Sequence, residues 1–259
     1  MTVDIGWTGL VLAFVLVAVA IALSWWQRLA LERSLVWASV RALVQLLLVG
    51  VALRFVLDAD GSIAWAWVWV LLMIVFASFT VRVRAREVPG LWPLAIASFG
   101  AAAVVSLGVL FGLGVFALEA RTLIPMAGLV VGNSMAATVL VSRRVFEELR
   151  DKRDEVEARL ALGASSADAA RPYVRAALRT ALIPQIEATK AVGLVFLPGA
   201  MTGLILAGVD PLDAVQVQVA VMYLILGSVA TTTVVIALGV SRRLFTTDHR
   251  LVRIDRPAA

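Results

Sequence analysis

The sequence predicts an all-α polytopic membrane protein with seven transmembrane helices. Three observations carry that prediction. Apolar residues make up 61% of the 259 and charged residues 16%, whereas a soluble domain is about half apolar and a quarter charged. The apolar residues fall into runs of roughly 18 or more, the length a helix needs to cross hydrocarbon about 30 Å thick. The basic residues concentrate in every second loop, the mark of cytoplasmic loops. The same composition narrows the chemistry. There is no cysteine, and the one histidine, His249, lies in a polar tail. Disulfides and thiolate metal sites are therefore excluded, and catalysis or metal binding built on histidine clusters nearly so. The net charge of +5 belongs to the loops of a membrane protein and is no nucleic-acid signal.

The runs, in order, are 6–24, 36–57, 63–81, 91–118, 124–142, 191–209 and 214–240. The first has Asp4 where a secretory signal has a basic region, and "LSWWQRLALERS" where it has a small-residue cleavage site, so it reads as a retained helix. Arg28 and Arg33 follow the first run, and "DADG" the second. Arg82, Arg84 and Arg86 follow the third, and Glu119 with Arg121 the fourth. A long charged segment follows the fifth, and Asp210 with Asp213 the sixth. Arg242, Arg243, Arg250 and Arg253 lie in the tail. The alternation places the N-terminus outside and the C-terminus in the cytoplasm. The chain is one transmembrane domain, 1–259, with one sizeable cytoplasmic segment, 143–190.

That segment is helical by pattern. Val145, Leu149, Val156, Leu160 and Ala161 make an incomplete apolar stripe, and Glu148 with Lys152 is an i,i+4 pair. Gly163 stops the first helix. Ser165 or Ser166 caps a second, which runs to Pro184. The expectation is a helix–turn–helix hairpin at the cytoplasmic mouth.

Polar residues inside the spans mark structure or a path. A polar side chain in hydrocarbon must face a bundle interior or water. As interhelical glue it contributes about 0.6 kcal/mol on average. Asn133, Ser134 and Met135 are expected to line a translocation path. Gly128 and Gly132 form G-x-x-x-G on a different face, where a neighbouring backbone can come close. Arg41 and Gln45 share a face of span 2. An arginine at a helix centre costs about 2.5–3.5 kcal/mol on insertion scales, so Arg41 calls for a partner, with Glu187 a candidate. "FLPGAMTG" (196–203) interrupts span 6 at Pro198 and Gly199. Broken helices flank binding sites through freed carbonyls, which singles out Met201 and Thr202. Gln216 and Gln218 are two apart and cannot share a helix face, so one of them, taken as Gln216, faces the path. Metal ligands are scarce: Glu187, Asp210 and Met201 are weak candidates. Iron favours carboxylate, imidazole or water, and thioether suits softer ions.

Several segments resemble one family in its order: "VRALVQLLLVGVAL" (40–53), "IPMAGLVVGNSM" (124–135), "EARLALGAS" (157–165), "RAALRTALIP" (175–184) and "KAVGLVFLPGAMTGLILAGVDPLDAVQVQ" (190–218). They resemble the FetB-like family of ABC-transporter permease subunits, associated in bacteria with iron export and in plants with aluminium tolerance. Glu157, Ala158 and Gly163 are similar to the EAA motif by which such permeases dock on their ATPase, although Arg159 replaces its second alanine.

The resemblance implies a non-enzymatic export subunit of the plasma (bacterial inner) membrane, for iron or another metal ion. It implies a permease homodimer with a separate cytoplasmic ATPase, which uses the ATP and Mg. This chain itself would bind no cofactor, and no G-x-x-x-x-G-K-[ST] occurs in it. The alternatives are an ABC permease for a non-metal solute such as a nucleotide sugar, and a seven-helix secondary transporter or sensor without an ATPase. The spans hold almost no carboxylate to serve as an ion carrier, and Ser134 lacks a nearby base for hydrolysis.

Overall fold

The computed structural model describes residues 6–58, 63–246, 248 and 250–252; Asp4, His249 and Arg253 lie outside them, as do residues 59–61 of "DADG". Nine helices account for nearly all the described residues: α1 (Gly6–Trp26), α2 (Glu32–Asp58), α3 (Ala64–Arg84), α4 (Leu91–Gly112), α5 (Ala120–Asp151), α6 (Arg153–Ala161), α7 (Ser166–Ala191), α8 (Gly199–Leu206) and α9 (Pro211–Arg243). Five are long and apolar enough to cross a bilayer: α3, α4, α5, α9 and the Glu32–Arg54 part of α2; α1 adds an apolar stretch, Leu12–Trp26. The protein is therefore a polytopic helical membrane protein.

The centre is the pair α5 and α9, flanked by α3, α4 and α7. Lipid tails are as apolar as leucine, so helices in a bilayer associate through close packing of small residues instead of hydrophobic burial. Ser134, Thr138 and Ser142 on α5 and Ser228, Thr232 and Thr233 on α9 are all buried. Their hydroxyls bond back to their own helices: Thr138 to the Ser134 carbonyl at 2.8 Å, Ser142 to that of Thr138 at 2.6 Å, and Thr232 to that of Ser228 at 2.9 Å. Between the helices, Ser134 donates to Ser228 at 3.4 Å. The ends of these helices are specified locally. Glu119 and Thr122 form a reciprocal capping box at the start of α5. Asp210 caps α9 by accepting the Leu212 amide at 2.8 Å, with Pro211 at the first helical position.

Several basic residues meet at one end. Arg143 of α5 pairs with Glu87 at 2.8 Å and also donates to the Arg84 carbonyl at the end of α3. Arg243 of α9 donates to the carbonyl of Gly90, which enters α4 at φ +63°. The α1–α2 pair stands apart and meets the rest only lightly, through α5.

Two expectations change. The run 191–209 is not one helix. Helix α7 ends at Ala191, Gly193 turns the chain at φ +84°, and Pro198 caps the eight-residue α8. At 1.5 Å per residue, α8 is about 12 Å long and too short to span. The pair Glu148–Lys152 does not form; Lys152 binds Glu155 instead, at 2.8 Å. The expected turn at Gly163 is present, with φ +89°.

Candidate coupling hairpin and translocation site

The hairpin is a rigid unit. Val145, Leu149 and Val156 of the sequence stripe are fully buried. The Tyr173 hydroxyl on α7 donates to Glu155 on α6 at 2.9 Å, and the Arg159 guanidinium sits 6.0 Å above the Tyr173 ring. Bonding to Lys152, and then to Tyr173, holds the Glu155 carboxyl below the usual carboxylate range. Ser165 caps α7 by accepting the Asp168 amide at 3.2 Å. Of the motif residues, Glu157 accepts from Arg153 on its own helix at 2.6 Å, Ala158 lies beside it on α6, and Gly163 forms the turn. The tip is apolar: Leu162 is 88% exposed. Neither the tyrosine clasp nor Leu162 was singled out by the sequence, because phenol–carboxylate pairs across a turn leave no fixed spacing.

The residues expected to line one path separate into several places. Arg41, Gln45 and Met135 share a cleft of about 800 Å³ between α2, α3 and α5. Gly128 and Gly132 open onto this cleft. No backbone approaches either: the nearest atom to a side chain at Gly128 would be the Met73 methyl at 3.8 Å, and Gly132 has open space. Ser134 faces the other way, into the seam with α9. Asn133 is exposed outside the cleft, with its amide nitrogen donating to the Leu129 carbonyl at 2.9 Å. Three consecutive helical residues point about 100° apart, which is why one path cannot take all three.

Another place is α8. The Met201 amide donates to Gln218, which is buried, at 3.2 Å. Gln216 is exposed, so Gln218 is the anchor that sequence reasoning passed over. The Thr202 hydroxyl, singled out for the path, instead donates to the Pro198 carbonyl at 3.1 Å.

The weak metal candidates are also dispersed. Glu187 pairs with Lys190 at 2.9 Å instead of with Arg41, and Asp210 caps α9. Among the described residues, no group of three or more His, Cys, Asp or Glu side chains converges.

A polar-seamed helical bundle with an open cleft between α2, α3 and α5 and a clasped hairpin defines a polytopic membrane protein. The chain belongs to the uncharacterised protein family UPF0014, whose model matches residues 7–245. It is 39% identical over 224 residues to the rice (Oryza sativa subsp. japonica) "UPF0014 membrane protein STAR2", covering 86% of this chain and 78% of that one. It is 32% identical over 244 residues to "Probable iron export permease protein FetB" of Escherichia coli (strain K12), covering 94% of each. It is 34% identical over 222 residues to "Protein ALUMINUM SENSITIVE 3" of Arabidopsis thaliana, covering 86% of this chain and 81% of that one. No solved structure matches. The relatives are named as membrane and permease proteins, in keeping with a transport subunit that is not itself an enzyme.

Proposed function

We propose that this chain is the membrane-spanning subunit of an ABC exporter in the plasma (bacterial inner) membrane, carrying iron or another metal cargo. Two copies work with two cytoplasmic ATPase subunits, which bind the ATP and Mg. The N-terminus faces outside, and the basic end, with the α6–α7 hairpin, faces the cytoplasm. The observation that carries this reading is the hairpin itself. A short helix clasped to the bundle by Tyr173 and Glu155, ending in an exposed Leu162, is a stiff lever with an apolar knob for a cleft on a partner. ATP-driven closure of the partner pulls the lever, and the bundle rocks as a two-state element. The metal cargo follows from the relative named an iron export permease.

The test is co-purification with a cytoplasmic ABC ATPase from the same cell, followed by ATP hydrolysis in liposomes titrated with Fe(II), Fe(III), Cu(I), Al(III) and UDP-glucose. Metal-stimulated hydrolysis that is lost in Leu162→Asp and in Glu157→Ala/Gly163→Pro supports the reading. Hydrolysis that never depends on this chain overturns it.

A further inference from the structure

The charged helix α7 sits where a membrane helix sits. At the basic end, Val174 and Leu178 line a small cleft with Leu238, Ser241 and Arg242 of α9. Arg243, next in the chain, is the residue that ties α9 to Gly90. So Leu178 is level with the last turns of α9. From there α7 runs along α5 and α9, and Leu182 packs against the cluster of Val221, Ile225 and Val229 in the middle of α9. By helical rise, Leu182, Glu187 and Lys190 lie about 6, 14 and 18 Å beyond Leu178. A hydrocarbon core is about 30 Å thick, which puts Glu187 near its centre.

The face turned away from the bundle is not fit for lipid. It carries Arg175, Arg179, Ile183, Ile186, Glu187 and Lys190, all exposed. Glu187 is neutralised by Lys190 at 2.9 Å. Among the described residues no carboxylate pairs with Arg175 or Arg179, which leaves the face net positive. Asn133 borders this face. Its i−4 and i+4 neighbours, Leu129 and Ala137, pack in the same cluster as Leu182, so the amide opens beside α7. Ionised side chains at such depth face a water-filled cavity or another protein surface.

We infer that α7 enters the bilayer, with residues 192–206 completing the crossing, and that its exposed face, with Asn133 beside it, is the cationic wall of a water-filled path for an anionic solute. The solute class rests on the transport reading above, so a metal crosses as a negatively charged complex and not as a bare cation. The crossings are then α1, α2, α3, α4, α5, α7 together with the segment that follows it, and α9. Helix α7 joins the 191–209 run in this crossing, and the alternation of basic and acidic loops keeps its phase.

The chain has no cysteine, so single-cysteine labelling of the full chain in membranes tests this without background. Ile183→Cys and Thr180→Cys sample the wall, and Leu72→Cys on the apolar surface of α3 is the lipid-facing control. Each is treated with an anionic sulfonate and a cationic trimethylammonium methanethiosulfonate, with rates normalised to a free thiol. A charged wall concentrates counter-ions by 10-fold or more. The expected result is labelling at 183 or 180, with the anionic reagent about 10-fold faster and its advantage lost in Arg175→Gln/Arg179→Gln. Protection of both positions, as at Leu72→Cys, overturns the membrane path. Labelling in which the cationic reagent is as fast or faster overturns the anionic solute. Neither reading needs ATP or a partner, so failure here is distinct from failure of the ATPase test.

Discussion

The Tyr173 hydroxyl donates to the Glu155 carboxylate at 2.9 Å across the Gly163 turn, tying α7 to α6. Because α6 touches little else, this bond and the buried Val156 decide how stiffly the tip is carried. Tyr173→Phe is expected to raise hydrogen exchange across residues 153–164 several-fold while leaving α5 and α9 protected. Unchanged exchange there would mean that Val156 alone holds the helix.

The same clasp gives a pH dependence. The Glu155 carboxyl is held below the usual carboxylate range, chiefly by Lys152 and then by Tyr173. A group depressed in the folded state contributes stability above its unfolded value and loses it as pH falls through the folded one. Protection of the hairpin should therefore be flat near neutrality and decline on acidification below the ordinary carboxylate value. Glu155→Gln should start lower and lack that decline, as read by exchange at a series of pH values.

Gly163 turns at φ +89°, a region that costs an L-residue about 1–2 kcal/mol. Asparagine visits it more readily than alanine. Gly163→Ala should weaken coupling of ATP hydrolysis to transport, and Gly163→Asn should restore part of it. Equal loss in both would point to the glycine's small size at the partner contact instead of to its backbone angle.

Ser134 and Ser228 meet at 3.4 Å, a long hydrogen bond in a tight seam. Ser134→Ala should change the detergent Tm little, since interhelical bonds of this kind average about 0.6 kcal/mol. Ser134→Leu should cost about 1–3 kcal/mol by overpacking and lower the Tm by several degrees. A larger loss from the alanine variant would show that the bond outweighs the packing.

Gln218→Leu removes the acceptor of the Met201 amide. A buried donor left unsatisfied costs about 1–3 kcal/mol, so exchange at Met201 and along α8 should quicken by an order of magnitude. Gln216→Leu, on the exposed face, should leave α8 unchanged. The reverse pattern would reassign the anchor.

The parts legible in the sequence were those with a strong period or punctuation. The apolar runs gave α1 to α5 and α9, and Gly163 with Ser165 gave the hairpin turn. Helix α7 was read as part of a loop because Arg175, Arg179, Glu187 and Lys190 lower its apolarity. Only packing against α5 and α9 reveals where it lies. The run 191–209 misled for the converse reason: it is apolar enough to span, yet Gly193 and Pro198 break it. Asn133, Ser134 and Met135 were grouped by adjacency, whereas a helix distributes neighbours around its axis. Gln218 could not be told from Gln216 without knowing which side α8 folds onto.

The hydroxyls between α5 and α9 have one more consequence. Thr138, Ser142, Thr232 and Thr233 each bond to a carbonyl one turn back on their own helix. Their hydrogen bonds therefore do not lock the two helices together. A displacement of α9 along α5 breaks none of them and trades only the long contact between Ser134 and Ser228. The seam behaves as a lubricated bearing: tight enough to exclude lipid, yet with almost no polar toll for sliding. Small shears of packed helices are a common form of conformational change, and here the gliding surface runs through the middle of the bundle.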